Sequence, residues 1–157
     1  MKINVLKNYK ELSSTVADIV EEQIKEQSKL ILPSGDTPLG LYKELVDRKL
    51  DWSLILTFNL DEYLMNIDHP YSYHSYMKKN LFDRTNIYPD HCHFPYRPTL
   101  SFEDKINANR GIDLCILGIG SNGHIAFNEP GSAFDSRTSS ISSKRSSSSL
   151  FIVPYPP

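Results

Sequence analysis

Leu12, Val16, Ile19, Val20 and Ile24 recur at helical spacing among charged neighbours, which predicts an amphipathic helix over Lys10 to Glu26. Residues 2 to 6 alternate as a short strand ahead of it. Lys29 to Leu32 is a brief apolar run broken by Pro33. A second helix is expected from Pro38 to Asp47, with Thr37 as N-cap and proline in the first turn. Leu54 to Phe58 is β-branched and aromatic enough for a buried parallel strand ending at Asn59. A third helix is expected over Ser72 to Leu81, where Tyr73, Tyr76, Met77 and Leu81 form a core stripe to which no chemistry is assigned.

Residues 83 to 100 hold Pro89, Pro95 and Pro98 and read as an irregular connection. A short helix over Ser101 to Asn109 follows, stopped by Gly111, and Ile112 to Leu117 is the next buried strand. Strand and helix alternate along this order, which predicts a Rossmann-like, doubly wound parallel α/β sheet over residues 1 to 138. From residue 139 the rhythm is lost, since eight of the eleven positions from Ser139 to Ser149 are serine and the chain closes on Pro154-Tyr155-Pro156-Pro157. Serine-rich sequence buries too little apolar area to offset its ordering entropy, so residues 139 to 157 are expected to be a disordered tail.

Three of the predicted strands end in polar, turn-forming loops. These are Leu32-Pro33-Ser34-Gly35-Asp36-Thr37-Pro38, Thr57-Phe58-Asn59-Leu60-Asp61-Glu62-Tyr63, and Leu117 to Pro130. In open parallel sheets ligands sit beyond the carboxyl ends of the strands, so these loops are expected to converge on one pocket. Ser34, Gly35, Asp36 and Thr37 offer small residues and backbone amides ahead of a helix, the parts of a phosphate cradle or equally of a capped turn. Asp36 would repel phosphate unless it points away or caps the helix. Asp61 offers a carboxylate across the pocket, while Glu62 should face elsewhere if the chain stays extended. His124 follows the Asn122-Gly123 turn and can act as acid or base, with Glu129 near enough to orient its ring.

Gly118-Ile119-Gly120-Ser121-Asn122-Gly123 matches a dinucleotide fingerprint, but it comes late in the chain and no long helix follows, so Gly120 and Gly123 are read as admitting backbone amides to a ligand. His91-Cys92-His93 resembles a metal-binding fragment without a fourth ligand, and no metal is assigned to it. A formal charge of -2, with no basic block, gives no footprint for nucleic acid or a membrane surface. Cys92 and Cys115 make no disulfide framework, and no signal peptide or long apolar segment is present, so a cytoplasmic setting is expected.

The chain resembles the glucosamine-6-phosphate deaminases in Leu-Pro-Ser-Gly-Asp-Thr-Pro-Leu at 32 to 39, Thr-Phe-Asn-Leu-Asp-Glu-Tyr at 57 to 63, and Leu-Gly-Ile-Gly-Ser-Asn-Gly-His-Ile-Ala-Phe-Asn-Glu-Pro-Gly at 117 to 131. The likeness covers the family's N-terminal part and stops near Thr138, the pattern of a truncated or frameshifted reading frame. It implies conversion of glucosamine 6-phosphate and water to fructose 6-phosphate and ammonia, without metal or organic cofactor. Asp61 then matches the base that moves a proton between C2 and C1, His124 the histidine of ring opening, and Glu129 its carboxylate partner. Asn122 stands where many members have aspartate, and it can still hydrogen-bond the ring. The resemblance also implies an amino-sugar phosphate as partner, and family members often form homo-oligomers. Two further readings are a 6-phosphogluconolactonase-like hydrolase and a non-catalytic sugar-phosphate-binding remnant.

Overall fold

The computed structural model describes residues 3–24, 27–96, 100–126, 128–133, 139–142 and 149–152. Its elements are α1 (Tyr9–Gln23), β1 (Lys29–Leu32), α2 (Leu39–Asp47), β2 (Leu56–Asn59), β3 (Asp61–Tyr63), α3 (Tyr73–Asn80), β4 (Cys92–His93), α4 (Leu100–Ala108), β5 (Leu114–Cys115), β6 (Ser139–Ser142) and β7 (Ser149–Ile152). Four of the strands form one sheet in the order β4-β2-β1-β5, every pair parallel. Strand order runs outward from β1 through β2 to β4 and then returns to the other side of β1, the doubly wound pattern expected from the alternation.

Both faces of this sheet are covered. Leu30 and Leu32 join Ala17 and Val20 of α1, Leu41, Tyr42 and Leu45 of α2, and Met77 of α3 in one core cluster. Ile31, between them, belongs with Phe58, Leu60, and Phe102 and Ile106 of α4 in a second. The period-two alternation of a strand thus feeds two cores, and each fully buried leucine or isoleucine contributes about 1.5–3 kcal/mol.

Several boundaries differ from expectation for identifiable reasons. Residues 3–6 form no strand, and Ile3 and Val5 are exposed, because no strand pairs with them. Helix α1 starts at Tyr9 because the Asn8 side chain caps it, accepting from Glu11 N at 2.9 Å. Its inward face is Ser13, Ala17 and Val20, which leaves Leu12 and Ile19 about two-fifths exposed. Pro38, not Thr37, stands at the N-cap of α2 and makes no side-chain cap bond. The proline-rich connection contains β4, whose two residues pair with Thr57 and Phe58. Gly111, at φ +86°, ends the turn after α4 and donates to Ile106 O at 2.9 Å, as expected of a C-terminal glycine.

In the segment expected to lack regular structure, β6 and β7 pair antiparallel, and β7 pairs with β3, setting Ile152 opposite Asp61. Leu150, Phe151 and Ile152 form an apolar run within the serines and supply the strand propensity that overall composition obscures. The remaining tail positions lie outside the described residues. Among the described residues no helix is long and apolar enough to cross a membrane.

Candidate active site

The reversal of strand order between β1 and β5 opens a crevice beyond their carboxyl ends, the place where doubly wound sheets bind ligands. A cleft of about 380 Å³ lies there, lined by residues 33–38 after β1, Leu60 and Asp61 after β2, and residues 116–120 with His124 after β5. The three loops singled out from the sequence therefore do converge. Of the predicted site residues, Ser34, Gly35, Asp36, Thr37, Asp61, Gly120 and His124 line the cleft. Asn122, Gly123 and Glu129 stand in the turn around His124.

Asp61 is 5% exposed, and its Oδ1 accepts a hydrogen bond from Ser34 Oγ at 2.7 Å. Burial pushes its pKa from 3.8 to about 7; the Ser34 hydroxyl opposes this, and the neighbouring Glu62 charge adds to it. Such a carboxylate exchanges protons near neutrality, as a general base requires. Glu62 faces the other way, as extended backbone demands. Fully buried, it accepts from Tyr63 N at 2.7 Å, Tyr73 N at 2.8 Å and His74 N at 2.7 Å. It is thus an acceptor for the N-terminus of α3, whose first-turn amides need one.

The glycine-rich loop folds back on itself. Gly120 N donates to His124 O at 2.8 Å, Gly123 N donates to Gly120 O at 3.0 Å, and Ile125 bridges both Ile119 and Asn128. Gly123 takes φ +86°, a conformation suited to glycine. The imidazole of His124 lies against Gly120 so closely that a Cβ there would be 2.3 Å from Cε1 and 2.4 Å from Nε2. His124 Nδ1 is 3.3 Å from Glu129 Oε1. Asn122 Nδ2 donates to the other oxygen of Glu129 at 2.5 Å, and Asn122 Oδ1 accepts from His124 N at 3.2 Å. With Glu129 on its Nδ1 side, the ring has Nε2 left for proton exchange with a ligand.

Two groups have roles that periodicity concealed. Tyr73 lines the cleft beside Asp61, its ring stacked on Tyr63 with centroids 4.9 Å apart. Tyr76, on the same helix face, donates its hydroxyl to Gly35 O. Their helical spacing marked them as core, and the only contrary signal was the phenolic oxygen, which needs a partner when buried. Cys92 and His93 sit on successive positions of β4 and so face opposite sides of the sheet, unsuited to chelating one ion. His93 packs on Phe58 at 4.8 Å between centroids, and burial pushes the Cys92 thiol up to about 11.

Residues 7–148 match the family model of glucosamine-6-phosphate isomerases and 6-phosphogluconolactonase. Glucosamine-6-phosphate deaminase 2 of Bacillus subtilis (strain 168) is 46% identical over 152 residues, covering 88% of this chain and 61% of that protein. The chain thus spans about three fifths of the length of that curated relative. A solved structure described as a monomeric glucosamine-6-phosphate deaminase of the NagB superfamily superposes with a TM-score of 0.89 at 32% identity, covering 98% of this chain and 76% of the other. The 6-phosphogluconolactonase from Trypanosoma cruzi shares the fold, with a TM-score of 0.76 at 21% identity over 98% of this chain and 74% of its own. With the three loops in one cleft and the match running through nearly the whole chain, this protein belongs to the family of glucosamine-6-phosphate isomerases and 6-phosphogluconolactonases.

Proposed function

We propose that the cleft performs the isomerising deamination of glucosamine 6-phosphate, taking up water and releasing fructose 6-phosphate and ammonia. The observation that carries this reading is a buried Asp61, with its pKa near 7, in the same cleft as His124 and the Ser34–Thr37 turn. His124 opens the sugar ring by proton exchange through Nε2, with Glu129 and Asn122 fixing its ring. Asp61 takes the proton from C2 of the open-chain sugar and returns it at C1, which turns the amine-bearing carbon into an imine. Water adds to that carbon and ammonia leaves. Ser34, Gly35, Asp36 and Thr37 hold the phosphate through backbone amides, and Gly120 and Gly123 let the third loop approach the sugar. The likeness to a deaminase at 46% identity, against 21% for a lactonase, favours this chemistry over lactone hydrolysis. We place the protein in amino-sugar catabolism, in the cytoplasm, acting without metal or organic cofactor.

The test is fructose 6-phosphate formation from glucosamine 6-phosphate by the purified chain, with Asp61→Asn as control. Turnover that disappears in the control supports the assignment. Sugar-phosphate binding without turnover in either protein would replace it with a binding-only role.

A further inference from the structure

Two tyrosines grip the turn after β1 from outside the cleft. Tyr42, fully buried on α2, donates its hydroxyl to Pro33 O, and Tyr76, on α3, donates to Gly35 O. Their rings meet edge to face with centroids 6.4 Å apart, so each braces the other. Neither ring lines the cleft, whereas Pro33, Ser34, Gly35 and Asp36 all do. A trans peptide is planar, with its carbonyl and the following N–H pointing in opposite directions. A carbonyl drawn outward to Tyr42 therefore sends the Ser34 amide inward, and one drawn outward to Tyr76 does the same for Asp36. Among the described residues neither amide has a protein acceptor. Gly35, at φ +96° with open space around its Cα, supplies the left-handed step that lets alternate amides face one side.

Core packing alone accounts for a buried tyrosine that finds some acceptor. It does not account for tyrosines from two helices taking alternate carbonyls of one turn. Tyr9 shows the difference: it donates to Thr37 O at 2.7 Å, but the next residue is Pro38, which has no N–H to turn inward. We infer that Tyr42 and Tyr76 are positioning residues for phosphate recognition, each aiming one backbone amide of the Ser34–Thr37 turn at the phosphate of the substrate. The inference rests on the reading of that turn as the phosphate cradle. It also gives Asp36, an exposed residue of the cleft wall, a role played by its backbone amide.

The experiment is a titration of the 15N-labelled chain with inorganic phosphate and with glucosamine 6-phosphate, following the amide signals of residues 34 to 37. In the wild type, Ser34 and Asp36 amide protons move downfield and saturate. Tyr76→Phe abolishes the Asp36 response and spares Ser34, Tyr42→Phe does the reverse, and each weakens phosphate binding about tenfold, the worth of one hydrogen bond to a charged group. Variants that keep both amide responses and wild-type affinity overturn the inference while leaving the cradle intact. A wild-type chain whose turn amides ignore both ligands overturns the cradle and the inference together. Should Tyr42→Phe not fold, the partly buried Tyr76 carries the test alone.

Discussion

Replacing Asp61 with asparagine is expected to stabilise the chain by an amount set by pH. The carboxyl is 5% exposed, and burial raises its pKa from 3.8 to about 7. In the unfolded chain it titrates near the ordinary aspartate value, so between about pH 4 and pH 7 the native state keeps a proton that the unfolded state has lost. The slope of unfolding free energy with pH follows protons bound in the unfolded state minus those bound in the native state. That difference is negative here, so stability falls by about 1.4 kcal/mol per pH unit as pH rises. Over roughly three units the loss reaches about 4 kcal/mol, complete above the native pKa. Asparagine has nearly the same shape, keeps an oxygen for the Ser34 hydroxyl, and never ionises. Glu62, also raised by burial, is present in both proteins and largely cancels in the comparison. Urea unfolding of the two proteins should give nearly equal stabilities at about pH 4, with the variant several kcal/mol more stable at about pH 8. A difference that stays flat across that range, or favours the wild type at the alkaline end, would refute a buried, reluctantly ionised Asp61.

Gly120→Ala puts a methyl group 2.3 Å from His124 Cε1 and must displace the ring. Turnover should drop at least about 100-fold with under about 1 kcal/mol lost in stability, and wild-type turnover would show that this ring position is dispensable. Glu62→Ala leaves the Tyr63, Tyr73 and His74 amides without their carboxylate and should cost about 3–5 kcal/mol in urea unfolding, whereas Glu62→Gln, which retains one carbonyl oxygen, should cost less. If the two substitutions cost the same, the hydrogen bonds are not what Glu62 supplies. Because Asp61 must be ionised to accept a proton, kcat/KM should fall as pH drops through about 7, and an acid limb near pH 4 would place the base elsewhere.

Long periodic segments and polar strand ends were legible from residues alone, so β1, α2, α3 and the convergence of the three loops could be foreseen. What was hidden has particular causes. Cys92-His93 is a two-residue strand beside prolines, recognisable only once Thr57 and Phe58 are there to pair with it. The pattern at residues 2 to 6 is that of a strand, but residues 3–6 pair with no strand among the described residues. In α1 the side turned inward centres on small Ser13 and Ala17 because α2 packs close, so the larger Leu12 and Ile19 fall outside the core. Tyr76 reads as apolar bulk and Tyr42 is not singled out by its pattern, since spacing along a helix says nothing about where the far end of a ring reaches. The link from Asn122 through Glu129 to His124 was partly foreseen, because it spans only a few residues and needs no distant part of the chain.

The buried strands and the cleft-lining loops also divide the chain into two kinds of inheritance. Leu30, Ile31 and Leu32 are wholly or almost wholly inaccessible and serve both cores, yet the positions that would touch a sugar begin just past them, at Ser34. Substitutions in the loops can alter chemistry while the layered scaffold stays in place, and substitutions in the strands are constrained by volume and not by reactivity. Such a division lets sequences drift to 21% identity while the superposition persists at a TM-score of 0.76, and it lets one architecture carry more than one reaction on sugar phosphates.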